Sequence, residues 1–235
     1  MMHATAERLS AHRFFSGKSD FHQSATIGGY GTMMRIFPSA VVVISAPFFL
    51  GGTALAATVT VDLRGADGKP LVGAVVMIDT PRKPSGPIKF DYPYAMAQQN
   101  IAFAPHVLIV PVGSTVAFPN RDRVRHHVYS FSKAKKLDIK LYGKDETRSI
   151  VFDKVGVVAL GCNIHDSMSG FVLVVDTPYA VQTDANGHAA ITGVPVGAAS
   201  VRIWHPTIRT ADNMLSQTAT VSAVGYSITY TIRGR

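Results

Sequence analysis

The chain of 235 residues holds one cysteine and one tryptophan, and only 16% of its residues are charged. A single cysteine excludes an internal disulfide, and with it any iron–sulfur cluster or zinc site built from several thiolates. So little charge beside 47% apolar residues excludes a disordered chain, which needs high net charge and low hydrophobicity. No apolar run approaches the roughly 20 residues of a membrane-spanning helix. No segment carries a convincing helical periodicity either; the best candidate, Tyr94 to Gln99, allows one or two turns.

Acidic residues are the scarcer charge, 15 against 23 basic, for a formal net charge of +8. That balance favours acidic partners or anionic surfaces. No nucleic-acid recognition motif accompanies it, so a nucleic-acid partner is not expected.

The front of the chain reads as a targeting segment. Arg35 precedes an apolar run of 11 residues, Ala40 to Leu50, and Ala54-Leu55-Ala56 forms a small-residue cleavage site with Ala57 as the mature start. The alternative is an uncleaved anchor, for which the run is short. Residues 1–32 lack hydrophobic pattern and precede Met33-Met34, so translation is expected to begin there. The expected location is periplasmic or secreted, with no stable membrane insertion after cleavage. A free thiol in an exported chain calls for a reason, and metal ligation supplies one, because a bound thiolate is protected.

What the mature chain has in abundance is short alternation between turns. Val59, Val61 and Leu63 share a face, as do Val155 and Val157, then Phe171, Leu173 and Val175, then Tyr226, Ile228, Tyr230 and Ile232. Asp67-Gly68, Val112-Gly113, Asn186-Gly187 and Val196-Gly197 punctuate them. Many short strands with such turns predict an all-β sandwich fold. Three blocks follow the leader at 1–56: residues 57–90, 91–175 and 176–235.

The middle block carries the chemistry. Cys162, His165 and Met168 fall at equal intervals of three, behind a predicted strand ending near Gly161. One tight turn can aim all three at a common centre. A further imidazole, His126 or His127, lies about 36 residues upstream, ahead of Val128. One thiolate, two imidazoles and a thioether form the donor set of a blue-copper electron-transfer site, with the thioether weak and axial. Zinc also accepts cysteine and histidine but rarely methionine. Taken singly, a cysteine or methionine is more often core and a histidine more often surface. The spacing and the shared setting argue against coincidence. His106, His188 and His205 stand apart from the motif, and Trp204 reads as core. Multicopper catalysis needs further histidine pairs, so an enzyme is not expected.

Two stretches carry a family resemblance. Gly156 to Met168, with its Cys-x-x-His-x-x-Met loop, and Thr115 to Arg121 followed by His126-His127-Val128 resemble the cupredoxins, the small blue-copper proteins, amicyanin-like among them. The long flanks resemble the cupredoxin-type proteins labelled as methylamine-utilisation proteins. The resemblance implies a Greek-key β-sandwich, one mononuclear copper site, and His126, Cys162, His165 and Met168 as ligands. It makes His127 the neighbour of the first ligand, where the family usually has an asparagine that braces the cysteine loop. His127 is expected to brace that loop through a ring N–H or to compete as a ligand. Asn163-Ile164 stands where the loop usually has a proline, so the loop is expected to be less rigid.

The outer blocks resemble a carboxypeptidase-regulatory-like or transthyretin-like sandwich, on Gly68 to Val76 and Thr183 to Gly197. The implied arrangement is a second small β-sandwich split by the copper block. Its opposite is two consecutive sandwiches. Around the first histidine, Arg121, Arg123 and Arg125 alternate and are expected on one strand face, with Lys133, Lys135 and Lys136 following. They read as a solvated edge or as a docking surface for an acidic redox partner such as a c-type cytochrome or dehydrogenase. The expected function is exported electron transfer by Cu(II)/Cu(I) cycling, with a link to amine oxidation implied by the resemblance. The alternative is a copper-binding or scaffolding module without electron transfer.

Overall fold

The computed structural model describes residues 55–232. The predicted basic start and apolar core of the signal lie outside the described residues. The strands run β1 (Ala56–Arg64), β2 (Val75–Asp79), β3 (Ala97–Gln98), β4 (Phe103–Ala104), β5 (Val107–Pro111), β6 (Ser114–Pro119), β7 (His126–Phe131) and β8 (Lys136–Tyr142). They continue as β9 (Thr147–Phe152), β10 (Gly156–Cys162), β11 (Ser169–Val175), β12 (Ala180–Gln182), β13 (His188–Pro195), β14 (Gly197–Trp204), β15 (Met214–Val221) and β16 (Tyr226–Thr231). The only helical element among the described residues is a 3-10 turn at Ala211–Asn213. The fold is all-β, as the alternation predicts.

Strands from the two ends of the described chain pair with each other. β1 lies between β13 (antiparallel) and β16 (parallel), and β2 lies between β12 and β14, with β15 outside β14. These two sheets enclose a core from Val59, Val61 and Leu63 on one side and Val76, Ile78, Val201 and Ile203 on the other. The segment between them forms its own sandwich. A five-stranded sheet, β5-β11-β10-β7-β8, faces the β6-β9 and β3-β4 pairs across a second core.

Alternation explains how the sandwiches join. On β11, Val172 and Val174 enter the second core, while Phe171, Leu173 and Val175 face the first sandwich. β5 divides likewise, Leu108 and Val110 one way, Val107 and Ile109 the other. Val75 and Met77 of β2 meet them, with Trp204. Strands covered on both faces read as continuous apolar runs, which is why Val107–Pro111 and Phe171–Val175 show so few polar residues. At the crossing between sandwiches, Arg202 grips Asp79 through Nε (2.5 Å) and Nη2 (2.8 Å), and Lys83 pairs with Asp176. Hydrogen bonding from Lys83 holds the Asp176 carboxyl below its ordinary value.

The weak helical candidate does not form, and one local expectation fails. Tyr94 to Gln99 is extended, because Met96 N–H donates to Ala117 and Ala117 N–H to Tyr94 alongside β6, and sheet pairing overrides the weak helical preference. Val155 precedes β10 and is 38% exposed, so the strand's alternation begins only at Gly156. Gly187 occupies a turn that only glycine fits: its φ is 74° and an added Cβ would sit 2.3 Å from the Leu63 carbonyl oxygen.

Candidate metal centre

The site forms where β7 begins and β10 ends. Cys162 pairs in register with Val128, which places His126 and Cys162 at the same end of two adjacent strands. Both side chains point into the second core; His126 is fully buried and Cys162 is 3% exposed. Gly161 permits this approach, since a Cβ there would lie 2.8 Å from the Tyr129 ring. After Cys162 the chain turns, and Met168 N–H donates to the His165 carbonyl (2.9 Å), returning His165 over the cysteine. Met168 is buried in the same cluster as Cys162, whereas His165 is half-buried.

Cys162 Sγ lies 3.7 Å from His126 Nδ1 and 3.9 Å from His165 Nδ1. One donor atom from each of the three residues falls within 4.8 Å of the others. Bonds of about 2.3 Å to sulfur and about 2.05 Å to nitrogen at trigonal angles separate S and N by about 3.8 Å. The spacing therefore fits one small ion among a thiolate and two imidazoles. Among the described residues this is the one such cluster.

The residue that orients His126 escaped the sequence reading. With Nδ1 turned to the sulfur, Nε2–H donates to Asp122 Oδ2 at 2.9 Å. Asp122 in turn accepts from the N–H groups of Asn100 (2.7 Å) and Ile101 (3.0 Å), whose φ values are 57° and 54°. Burial alone would raise the Asp122 carboxyl, but hydrogen bonds from Ile101, His126 and Asn100 hold it below its ordinary value. Asn120, fully buried, fastens the loop by donating to Val124 and Tyr142 carbonyls while accepting from Asp122 N–H. The only sequence signal was an acid four residues before a histidine, hidden in a run of arginines.

The other side of the cluster is closed by Tyr142, whose hydroxyl donates to buried Gln98. Burial drives its phenol well above the ordinary value; Arg148, 5.4 Å from the ring, opposes this and nearby Cys162 adds to it.

Solved structures similar to this chain include a reduced amicyanin variant, at 22% identity over 43% of this chain and 98% of that one, with a TM-score of 0.34. A purple cupredoxin from Nitrosopumilus maritimus matches at 28% identity over 32% of this chain and 84% of its own, with a TM-score of 0.30. A copper-containing nitrite reductase from Thermus scotoductus SA-01 matches at 24% over 48% of this chain and 28% of its own, with a TM-score of 0.35. No family model and no curated protein matches the chain. TM-scores this low establish neither family nor activity, so the centre stands on its own geometry.

Several expected roles change. The His127 ring neither braces the cysteine loop nor joins the cluster; alternation turns it to the other face of β7, where Nε2 meets Asp138 Oδ1 at 2.5 Å. Its carbonyl does hold the loop, accepting from Asn163 N–H at 3.0 Å. Asn163 itself is exposed, as is Ile164. Arg121, Arg123 and Arg125 do not share a strand face: they sit in the bend that Asn120 and Asp122 tie down before β7. Lys133, Lys135 and Lys136 lie beyond the far end of β7, and Lys135 is paired with Asp153 at 2.9 Å. The expected cationic set is therefore two separate groups, only the arginines being near His126. His188 pairs with Asp62 and His205 with Thr207, both away from the centre.

Proposed function

We propose that this chain is an exported copper protein that passes single electrons to and from a redox partner. His126, Cys162 and His165 would be the strong ligands in this reading and Met168 the weak one. The observation that carries it is the convergence of one thiol and two imidazole nitrogens, from two separated stretches, at distances one ion can bridge. Copper held there supplies one-electron Cu(II)/Cu(I) chemistry. The chain's own part is to keep the donors in place: Asp122 and Asn120 fix His126, β10 fixes Cys162, and the 165–168 turn fixes His165 and Met168. Burial of His126, Cys162 and Met168 excludes water, leaving half-buried His165 as the edge through which an electron leaves.

The partner, in this proposal, is an acidic cytochrome or dehydrogenase steered by Arg121, Arg123 and Arg125, with an on-rate that falls as salt rises. A link to amine oxidation and a periplasmic or secreted location belong to the same proposal. Among the described residues no helix is long and apolar enough to cross a membrane. The strand pairing supports a domain division in which residues 91–175 interrupt a small sandwich made from 57–90 and 176–235. The other reading is a copper-binding or scaffolding module, favoured by the exposed Asn163-Ile164 in the loop.

Adding Cu(II) to the purified chain and recording visible and electron paramagnetic resonance spectra tests the proposal. One equivalent with an intense thiolate-to-copper band supports electron transfer. A colourless one-to-one complex selects the scaffolding reading, and no uptake refutes both.

A further inference from the structure

A second site lies apart from the donor cluster, in the cleft where the two sandwiches meet. Its volume is about 630 Å³, within the range of small-molecule pockets, which favour domain boundaries. The floor is the outward face of β10 and β11, with Val157, Ala159 and Phe171. The β7–β8 turn brings Lys133 to one wall and the β9–β10 turn brings Lys154. Trp204 of β14 and the start of β15 at Met214 form the opposite wall.

Two observations set this cleft apart. Trp204 is 1% exposed, and its Nε1–H is the one buried side-chain nitrogen or oxygen without a hydrogen-bond partner among the described residues. Buried donors are almost always paired, because an unpaired one keeps the full desolvation penalty. The second observation is charge. Lys133 and Lys154 are exposed and, among the described residues, have no carboxylate within ion-pair distance, although neighbouring Lys135 has Asp153. Arg202 also lines the cleft but is taken up by Asp79, and Asp212 is the single acidic side chain there. The cleft thus has Val157, Ala159 and Phe171 at its base and lysines at its rim, with the unpaired Trp204 donor buried behind its wall.

We propose that this cleft binds a small aromatic carboxylate. The ring covers Phe171, Val157 and Met214, and the carboxylate pairs with Lys133 and Lys154. This assignment is independent of the copper reading: the cleft lies at the Gly156 end of β10 and the donor cluster at the Cys162 end.

Trp204 is the only tryptophan in the chain, so its emission reports on this cleft directly. The full chain is titrated with benzoate, with benzyl alcohol (ring without charge) and with sulfate (charge without ring), reading tryptophan emission and heat. Benzoate is expected to give a saturable change in both, with the two controls weaker by about tenfold or more. Replacing both lysines, Lys133→Ala with Lys154→Ala, is expected to weaken benzoate by about tenfold while leaving the circular dichroism unchanged. The proposal is overturned by no saturable benzoate response up to about 10 mM, the affinity of a ligand of this size at ordinary efficiency. It is equally overturned if the double lysine variant binds benzoate unchanged, or if benzyl alcohol binds as tightly as benzoate.

Discussion

The two sandwiches share one strand grammar but differ in what they bury. The small sandwich closes over a core of Val, Ile, Leu and Ala; its buried Thr177 and Thr183 serve turns, donating to the Ile78 and Leu71 carbonyls. The sandwich built from β3 to β11 buries His126, Gln98, Asn120 and Ser130 alongside its apolar residues. A buried polar group costs free energy unless hydrogen-bonded, and a satisfied network fixes one arrangement of its members. Gln98 with Tyr142, Asn120 with the 120–125 loop, and Asp122 with His126 form such a network around Cys162. Apolar burial alone suffices to make a stable scaffold; a site that holds side chains in one geometry needs the buried polar groups as well.

That contrast can be broken from either side. The largest expected effect is Cys162→Ser, which removes the thiolate: visible absorption on copper addition disappears and copper affinity falls by more than about 100-fold, read by competition with a chelator. Next, Ile203→Ala in the small core is expected to cost about 2–5 kcal/mol in chemical denaturation while leaving the copper spectrum unchanged. Leu173→Ala, in the shared layer, is expected to cost a similar amount. Calorimetry is then expected to show one transition for both sandwiches, since β11 packs both in the second core and in the apolar layer it shares with β2 and Trp204; two separated transitions would show that the sandwiches are energetically independent.

Asp122→Asn comes third. It weakens the hold on His126 and is expected to lower copper affinity by about 10–100-fold, by titration with the metal. The same carboxyl sets a pH dependence. Its folded value lies below the unfolded one, so its stabilisation is complete above the ordinary carboxylate range and is lost as pH falls through the lowered folded value. Denaturation at a series of acidic pH values is expected to show a shallower loss of stability in Asp122→Asn. The smallest effect is Met168→Leu: a buried, near-isosteric change costing under about 1.5 kcal/mol, with copper retained and the reduction potential raised, read by voltammetry. Loss of all copper in that variant would contradict a weak axial role.

Much of this was legible from residue order. Val59, Val61 and Leu63 announce a half-buried strand, and Cys162, His165 and Met168 announce three donors on one short turn. Asp122 was not legible, because an acid between two arginines is ordinary on a surface and becomes special only where Asn100 and Ile101 present their N–H groups to it. The ring of His127 was misread for a related reason. Alternation put it on the opposite face from His126, but only the pairing of β7 with β8 supplied Asp138 as its partner.

Local pattern was enough to determine the all-β class, the turns and the kinds of donor atom, since these depend on neighbours a few residues apart. Which strands meet, which face of β11 looks which way, and which carboxylate orients His126 were decided by packing between segments up to about 167 residues apart, as between Val59 of β1 and Tyr226 of β16. Such contacts follow from the closing of two cores at once, and no short-range rule contains them.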